Sequence, residues 1–519
     1  MKFVENFAKI RGMKKIISFF LCLACFSNIL LSAQSVGTES SNNDVTFSTQ
    51  SVNSESSGWL HENDGKKHWF TAVGGMLFFN LGLSSYNRWV LGSGWAQTGW
   101  DEWDHFWERE MKYDRDWYWT NFVLHPYQGS LYYMASRGSN LNFAESFAVT
   151  LLGSSIWEYL CETNAPSTND MFYTTVGAFA VGEMLYRLSL EADEVSSLLG
   201  FAINPMRLWT QGWTRQKPLG STGNIHELSV KFGVGSARTH TEIINAPYFD
   251  NRYKQTEVYP VYGSVMLSVV YNDPYGHDSN TPYEQFELDF GGFAGVGSGQ
   301  GAACAYEDFD EKVMYDIRIN SNGMLFARSP KGSLFKNTDT TIGLALEYNF
   351  DWHQFYELSS LGPGLAIKQR IRFDSANLEW QLHGAWNTLG TTDYYYYHRK
   401  KISVLTDNDG VVRNYNITTG PMAVLKARYI TSGGSSFNFS FMGFGMYDFY
   451  DQLQDDVTGS SAGWEWIGRA DAGLELAVSK KVRLGINDEF YVKRAFYKKV
   501  PDVFQYVNSG SIYARLQLK

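Results

Sequence analysis

The feature that most limits the fold is a period of two in hydrophobicity that begins after Pro218 and lasts to the end of the chain. Leu228, Val230, Phe232 and Val234 alternate with Glu227, Ser229, Lys231 and Gly233, and Phe286, Leu288 and Phe290 alternate with Gln285, Glu287 and Asp289. Ile342, Leu344, Leu346, Tyr348 and Phe350 are set against Gly343, Ala345, Glu347 and Asn349, and Leu378, Trp380 and Leu382 against Asn377, Glu379, Gln381 and His383. Side chains of an extended strand point alternately to opposite faces, so each segment has one apolar and one polar side. Turn chemistry at Asn272-Asp273-Pro274, Leu361-Gly362-Pro363-Gly364, Asp407-Asn408-Asp409-Gly410 and Ser432-Gly433-Gly434 divides the run into strands.

A soluble sandwich has the same period, and three features favour a membrane barrel. The first is an export signal. Lys14-Lys15, the apolar run Ile16 to Leu31 and Ser32-Ala33-Gln34 are the charged, apolar and small-residue parts of a secretory signal peptide, so residues 1–33 are expected to be cleaved near Ala33. The run is shorter than the ~20 residues a spanning helix needs. Leu23-Ala24-Cys25 resembles a lipoprotein cleavage box, but mostly apolar residues follow the cysteine. The second feature is an aromatic content of 16%, which girdles at two membrane interfaces require. The third is the last strand, where Ile512, Ala514, Leu516 and Leu518 oppose Tyr513, Arg515, Gln517 and Lys519. It resembles the C-terminal signal read by the barrel-insertion machinery, with Lys in place of the common Phe. Single-chain bacterial barrels close with even numbers, so residues 223–519 are expected to form about twelve strands.

Residues 34–58, rich in Ser, Asn and Thr, read as a flexible linker. Residues 59–215 read as a helical domain with four long apolar stretches: Trp69 to Leu91, Trp117 to Ser136, Phe143 to Cys161 and Met171 to Leu190. Asn169-Asp170 is the N-cap signal for the fourth. Small residues, Gly74, Gly75 and Gly82, then Gly153, Ser154 and Ser155, then Gly177, Ala178 and Gly182, sit where helices can approach closely. The expected fold class is α+β, about four helices followed by an antiparallel transmembrane β-barrel. A net charge of −10 gives no basic footprint for nucleic acid, and four cysteines make no disulfide scaffold. Cys161 and Cys304, the two left after cleavage, either pair or stay as thiols.

Polar groups recur within the helical stretches: Asn121-Phe122-Val123-Leu124-His125-Pro126 with Gly129 and Tyr132, Arg137, Trp157-Glu158 with Glu162, Pro166-Ser167, Asp170, Thr174, and Gly182-Glu183 with Arg187. The patterns His-Pro-x-x-Gly-x-x-Tyr and Trp-Glu-x-x-x-Glu, together with Asn204-Pro205 and Arg207, resemble the family of exported proteins catalogued as domain of unknown function 3943, over residues 115 to 210. The resemblance implies a helical domain ahead of an outer-membrane barrel, and it implies no activity. Glu158 and Glu162 are four apart and adjoin on a regular helix, where two carboxylates repel unless a cation, metal or shared proton intervenes. Glu183 and Arg187 are also four apart, and Arg137, Arg187 or His125 is the expected partner of the first pair. Functionally, His125 and Glu158 would act as base and acid, or with Glu162 bind a metal. The alternative, which we prefer from sequence, is a polar network of Asn121, His125, Arg137, Glu158, Glu162, Asp170, Glu183 and Arg187 that fixes helix register. No zinc-helix motif, phosphate loop or nucleophile elbow is present.

In the barrel region, His277-Asp278-Ser279-Asn280 resembles the His-x-Ser-Asn motif of outer-membrane lipid A deacylases, but a turn-rich setting makes it a polar loop. Tyr394 to Tyr397 followed by His398, Arg399, Lys400 and Lys401 reads as an aromatic girdle passing into a basic loop, which a solvated strand end explains as well as contact with lipopolysaccharide phosphates does. Glu227, Lys231, Glu287, Asp289, Glu347, Lys368, Arg370 and Glu379 are expected to line a wet lumen, while Leu228, Val230, Phe232, Leu344, Leu346, Leu474 and Leu476 face lipid. The expected protein is therefore a non-enzymatic outer-membrane barrel of a Gram-negative envelope. Its helical domain lies on the periplasmic side and serves transport or envelope organisation. Its expected partners are outer-membrane lipid, lipopolysaccharide and the insertion machinery, with no cofactor and no metal. An envelope-lipid enzyme using His125, Glu158 and Glu162 is the alternative.

Overall fold

The computed structural model describes residues 66–114, 116–214, 223–244, 254–296, 313–331, 338–393, 415–449, 463–498 and 501–519. The signal segment, the linker, Cys304, the Tyr394–Lys401 stretch and the turn at 407–410 lie outside the described residues. Twelve antiparallel strands follow one another around a ring that closes where β1 pairs with β12. They are β1 (Ile225–Ile244), β2 (Lys254–Tyr271), β3 (Phe286–Val296), β4 (Val313–Arg328), β5 (Thr338–His353), β6 (Glu357–Arg372), β7 (Ala376–Asp393), β8 (Tyr415–Thr431), β9 (Ser436–Asp448), β10 (Gly463–Ala477), β11 (Val482–Tyr497) and β12 (Asp502–Gln517). Register carries the sequence alternation around the wall: Leu516, Val230, Leu267, Phe290, Ile319 and Phe350 are successive cross-strand partners on its outer face. Leu361-Gly362-Pro363-Gly364, expected as a turn, lies inside β6. There the pairing with β7 shifts between Leu361 and Gly364, and a Cβ on Gly362 would come within 1.8 Å of Trp386 O. The motif is a bulge, which tolerates the proline and needs the glycine. Both barrel termini and the short turns 373–375, 432–435 and 478–481 gather at one end, the terminal end.

The lumen is filled with paired charges. Arg318 on β4 grips Glu489 on β11 through two bonds of 2.7 and 2.8 Å, and Arg469 on β10 reaches Asp351 on β5 at 2.6 Å. Glu287 on β3 holds Lys368 at 3.0 Å and Lys426 at 2.8 Å, and Arg428 on β8 meets Glu227 on β1 at 3.0 Å. Four of these five pairs join strands five apart in the ring of twelve, and Glu287–Lys368 joins strands three apart, so most of them cross the lumen. Towards the end away from the termini, the tight 354–356 turn folds inward. Tyr356 stacks on Tyr491 at 3.7 Å between centroids, and Phe355 packs against Tyr259, with Met422, Met442 and Met446 in the same cluster. The inward charges are inward as expected, but they face each other.

The helical region contains α1 (Trp69–Ser85), α2 (Trp100–Asp104), α3 (His125–Arg137), α4 (Phe143–Ile156), α5 (Thr168–Phe172), α6 (Ala178–Val195), α7 (Ser197–Ile203) and α8 (Arg207–Thr214). All four expected stretches are helical, and each also carries a π-helical turn: Tyr86–Leu91, Thr120–Leu124, Trp157–Cys161 and Tyr173–Gly177. Pro126, early in α3, has no N–H to give the preceding turn. The fourth stretch is capped by Ser167, whose Oγ accepts from Asp170 N at 3.1 Å, two residues before the expected cap. Asn142 and Glu145 form a capping box at α4.

The bundle does not sit at a mouth of the barrel, as the expected periplasm-side domain would. It lies along the outer wall. Tyr118, Phe122, Tyr173 and Ala180 pack on Ile317, Leu346, Tyr348, Phe350, Leu361, Leu389, Tyr415 and Ile417, all from the halves of β4 to β8 away from the termini. Nearer the terminal end, Tyr133, Phe143 and Met184 pack on Val269, Tyr271, Phe286 and Leu288. Hydrogen bonds tie the two surfaces: Tyr118 Oη donates to Asp351 O at 3.0 Å, Tyr173 Oη to Leu389 O at 2.8 Å, and Tyr348 Oη to Phe122 O. Leu346, expected in lipid, is therefore only 4% exposed, and Phe350 on the same face is 0% exposed, whereas Leu474 and Leu476 on the uncovered side are 53% and 67% exposed. Glycines allow this closeness. A Cβ on Gly129 would fall 1.8 Å from Thr174 O and 2.7 Å from Ala178 Cβ. The opposite face of the bundle exposes Phe70, Phe78, Leu81, Trp89, Trp100 and Trp107. Among the described residues no helix is long and apolar enough to cross a membrane.

Candidate functional site

Three of the π-helical turns meet at the head of the bundle and bring Asn121, Glu158 and Thr174 together with His125 and Asp170. A π turn inserts one residue into a helix and redirects its side chains, and such turns recur at functional sites. His125, Glu158 and Asp170 are all buried, and one ligating atom from each lies within 4.8 Å of the others. His125 Nδ1 is 3.1 Å from Thr174 Oγ1, and Nε2 is 3.5 Å from Asp170 Oδ2. Glu158 Oε2 accepts from Ser167 N at 2.8 Å, while Oε1 has no hydrogen-bond partner among the described residues. Asp114, which the sequence does not single out, completes the group: its Oδ1 accepts from Asn121 Nδ2 at 2.7 Å and Asn169 Nδ2 at 2.6 Å. Asn121 Nδ2 also donates to Tyr415 Oη on the barrel at 2.8 Å, so the site touches the wall directly.

Burial sets the charge states. It pushes the His125 imidazole down to about 4, outweighing the opposite pull of Asp114, so the ring is neutral at pH 7. Burial, then the charge of Glu162, raises Glu158 well above the usual carboxylate range despite the Ser167 N–H. Burial, then Asp114 and Glu158, does the same to Asp170.

The expected single network is two networks. Arg137 Nε and Arg187 Nε both converge on Glu183, at 2.8 and 2.9 Å, and Tyr133 Oη donates to it at 2.9 Å. Burial alone would raise the Glu183 carboxyl, but the two guanidiniums hold it below its ordinary value. Neither arginine neutralises Glu158, contrary to expectation. Glu162 does not share a helix face with Glu158 either. The π turn ends at Cys161 and Glu162 is already extended, at φ −125° and ψ 144°. Cys161 is a buried free thiol. Ser279, from the motif resembling the deacylases, bridges Ala327 in the β2–β3 connection, and His277 is exposed there.

Residues 110–206 match the model of a domain of unknown function, DUF3943. No curated protein matches. Among solved structures the chain is similar to the outer-membrane protease OmpT from Escherichia coli (8% identity, 58% of this chain and 99% of that one, TM-score 0.26). It is also similar to the transport unit of the autotransporter AIDA-I from Escherichia coli (12% identity, 58% and 93%, TM-score 0.26) and to an outer-membrane channel from Pseudomonas putida F1 (9% identity, 57% and 100%, TM-score 0.30). In this chain a region that matches DUF3943, at residues 110–206, is thus followed by a closed twelve-strand antiparallel β-barrel.

Proposed function

We propose that the barrel is an anchor and not an open pore, and that it holds the helical bundle against its own wall at the lipid boundary of the outer membrane, in envelope organisation. The observation that carries this reading is the cover on the wall: residues of β2 to β8 with the outward, apolar register of a membrane face are buried by the bundle, whose far side exposes tryptophan, phenylalanine and leucine. Charges paired across the lumen support the closed state, because freeing a path would leave buried ions without partners. On this reading the terminal end, with both barrel termini and three short turns, is taken as periplasmic, and the His125 group, level with Asp351 and Tyr415, then lies towards the outer leaflet. The test is a planar-bilayer recording of the full chain. No steady conductance is expected; an ohmic pore of constant open state would contradict the anchor reading. An envelope-lipid enzyme remains the second reading, favoured by the placement of the buried His125, Glu158 and Asp170 group beside the wall, and it requires loss of a lipid product on His125→Asn.

A further inference from the structure

We propose that His125, Glu158 and Asp170 form a binding site for one divalent transition-series cation such as Zn2+ or Mn2+. The three side chains present a ring nitrogen and two carboxylates within 4.8 Å of one another, on three separate segments locked by the π turns. His125 Nδ1 lies 3.1 Å from Thr174 Oγ1, and its Nε2 faces Asp170 Oδ2 across 3.5 Å. Ligands about 2.1 Å from a tetrahedral ion lie about 3.4 Å apart, so this edge already has the length a shared cation imposes.

Independently, Glu158 is 1% exposed and its Oε1 has no hydrogen-bond partner among the described residues. A buried carboxylate oxygen in that state costs free energy unless something electropositive meets it. No described lysine or arginine makes a salt bridge with Glu158, and the buried guanidiniums of Arg137 and Arg187 serve Glu183. The surrounding shell is also of the kind that orients metal ligands: Thr174 fixes the imidazole, Ser167 N–H holds one Glu158 oxygen, and Asn169 Nδ2 donates to Asp170 Oδ1 at 3.0 Å. An imidazole in the set selects transition-series ions over Ca2+ and Mg2+, which take oxygen. The site stands whether or not the barrel is an anchor, because it depends on the bundle alone.

The experiment uses the full chain in detergent, stripped with chelator and titrated separately with Zn2+, Mn2+, Mg2+ and Ca2+. One equivalent of Zn2+ or Mn2+ is expected to bind, with Mg2+ and Ca2+ at least tenfold weaker. Glu158→Gln and Asp170→Asn are expected to lose at least tenfold in affinity while keeping heat-modifiable migration. Because a variant can fail to assemble, X-ray absorption of the loaded parent gives a second reading. One imidazole nitrogen with carboxylate oxygens is expected in the first shell. No binding by the parent, parental affinity in Glu158→Gln, equal affinity for Ca2+, or sulfur ligation through Cys161 would each overturn the site.

Discussion

Replacing Glu183 with Gln removes the negative charge that, among the described residues, bonds both Arg137 and Arg187. Glu183 is 0% exposed and accepts from Arg137 Nε at 2.8 Å, Arg137 Nη2 at 3.3 Å, Arg187 Nε at 2.9 Å and Tyr133 Oη at 2.9 Å. A unit pair near 4 Å attracts by about 4 kcal/mol at an effective dielectric of 20, so two guanidiniums supply about 8 kcal/mol before desolvation is subtracted. Removing one partner of a buried pair costs about 3–5 kcal/mol, because the charge left behind stays desolvated. A loss in that range is therefore expected for Glu183→Gln, read as urea unfolding in lipid vesicles by tryptophan fluorescence, with heat-modifiable migration reporting barrel closure separately. Glu158→Gln has no arginine to strand and is expected to shift the same curve by less than about 1 kcal/mol in the absence of added metal. A Glu183→Gln protein within about 1 kcal/mol of the parent would refute the reasoning, since the guanidiniums would then be reaching water. So would a Glu158→Gln protein that loses as much as Glu183→Gln.

Other outcomes follow from the same contacts. Gly129→Ala places a Cβ 1.8 Å from Thr174 O where more than 3 Å is needed, so α3 and α6 must part; a loss of about 1–3 kcal/mol and faster proteolysis of the bundle are expected. Leu474→Arg, on bare wall towards the end of β10, is expected to destabilise the barrel by less than the ~2–4 kcal/mol of a midplane site, whereas Leu346→Arg should leave a closed barrel with a protease-sensitive bundle. Because the guanidiniums depress Glu183 below its unfolded value of about 4.3, its contribution is present above that pH and disappears as pH falls through the lower folded value; acid should loosen the bundle before the barrel, as followed by tryptophan emission.

Much of the barrel was legible in the sequence because period two survives any cover: Ile342, Leu344, Leu346, Tyr348 and Phe350 point outward as read. What covers them was not legible. An apolar side chain facing lipid and one facing a helix carry the same sequence signal, so Leu346 under the bundle and Leu474 on bare wall looked alike. Four helices and most polar members of the site could be found by spacing, but their partners could not. Spacing offers Arg137 to Glu158 as readily as to Glu183, because nothing in it says that α3 faces α6 at that level. Glu162 fitted a regular helix, and the π turn at Trp157–Cys161 ends just before it and leaves it extended. Asp114 sits in a short polar loop with no pattern to mark it, and it is placed by the Lys112–Ser167 bridge.

The central claim is that the bundle, and not lipid, covers the outer wall of β2 to β8, and a photo-crosslinking residue in place of Leu361 tests it most directly. Leu361 is 0% exposed, on the outward register, and packs in the cluster that includes Tyr118, Phe122 and Tyr173. Irradiated in native membranes, position 361 is expected to cross-link to a peptide within residues 116–180, while the same probe at Leu474 labels lipid. Lipid adducts at 361, with no peptide from the bundle, would contradict it.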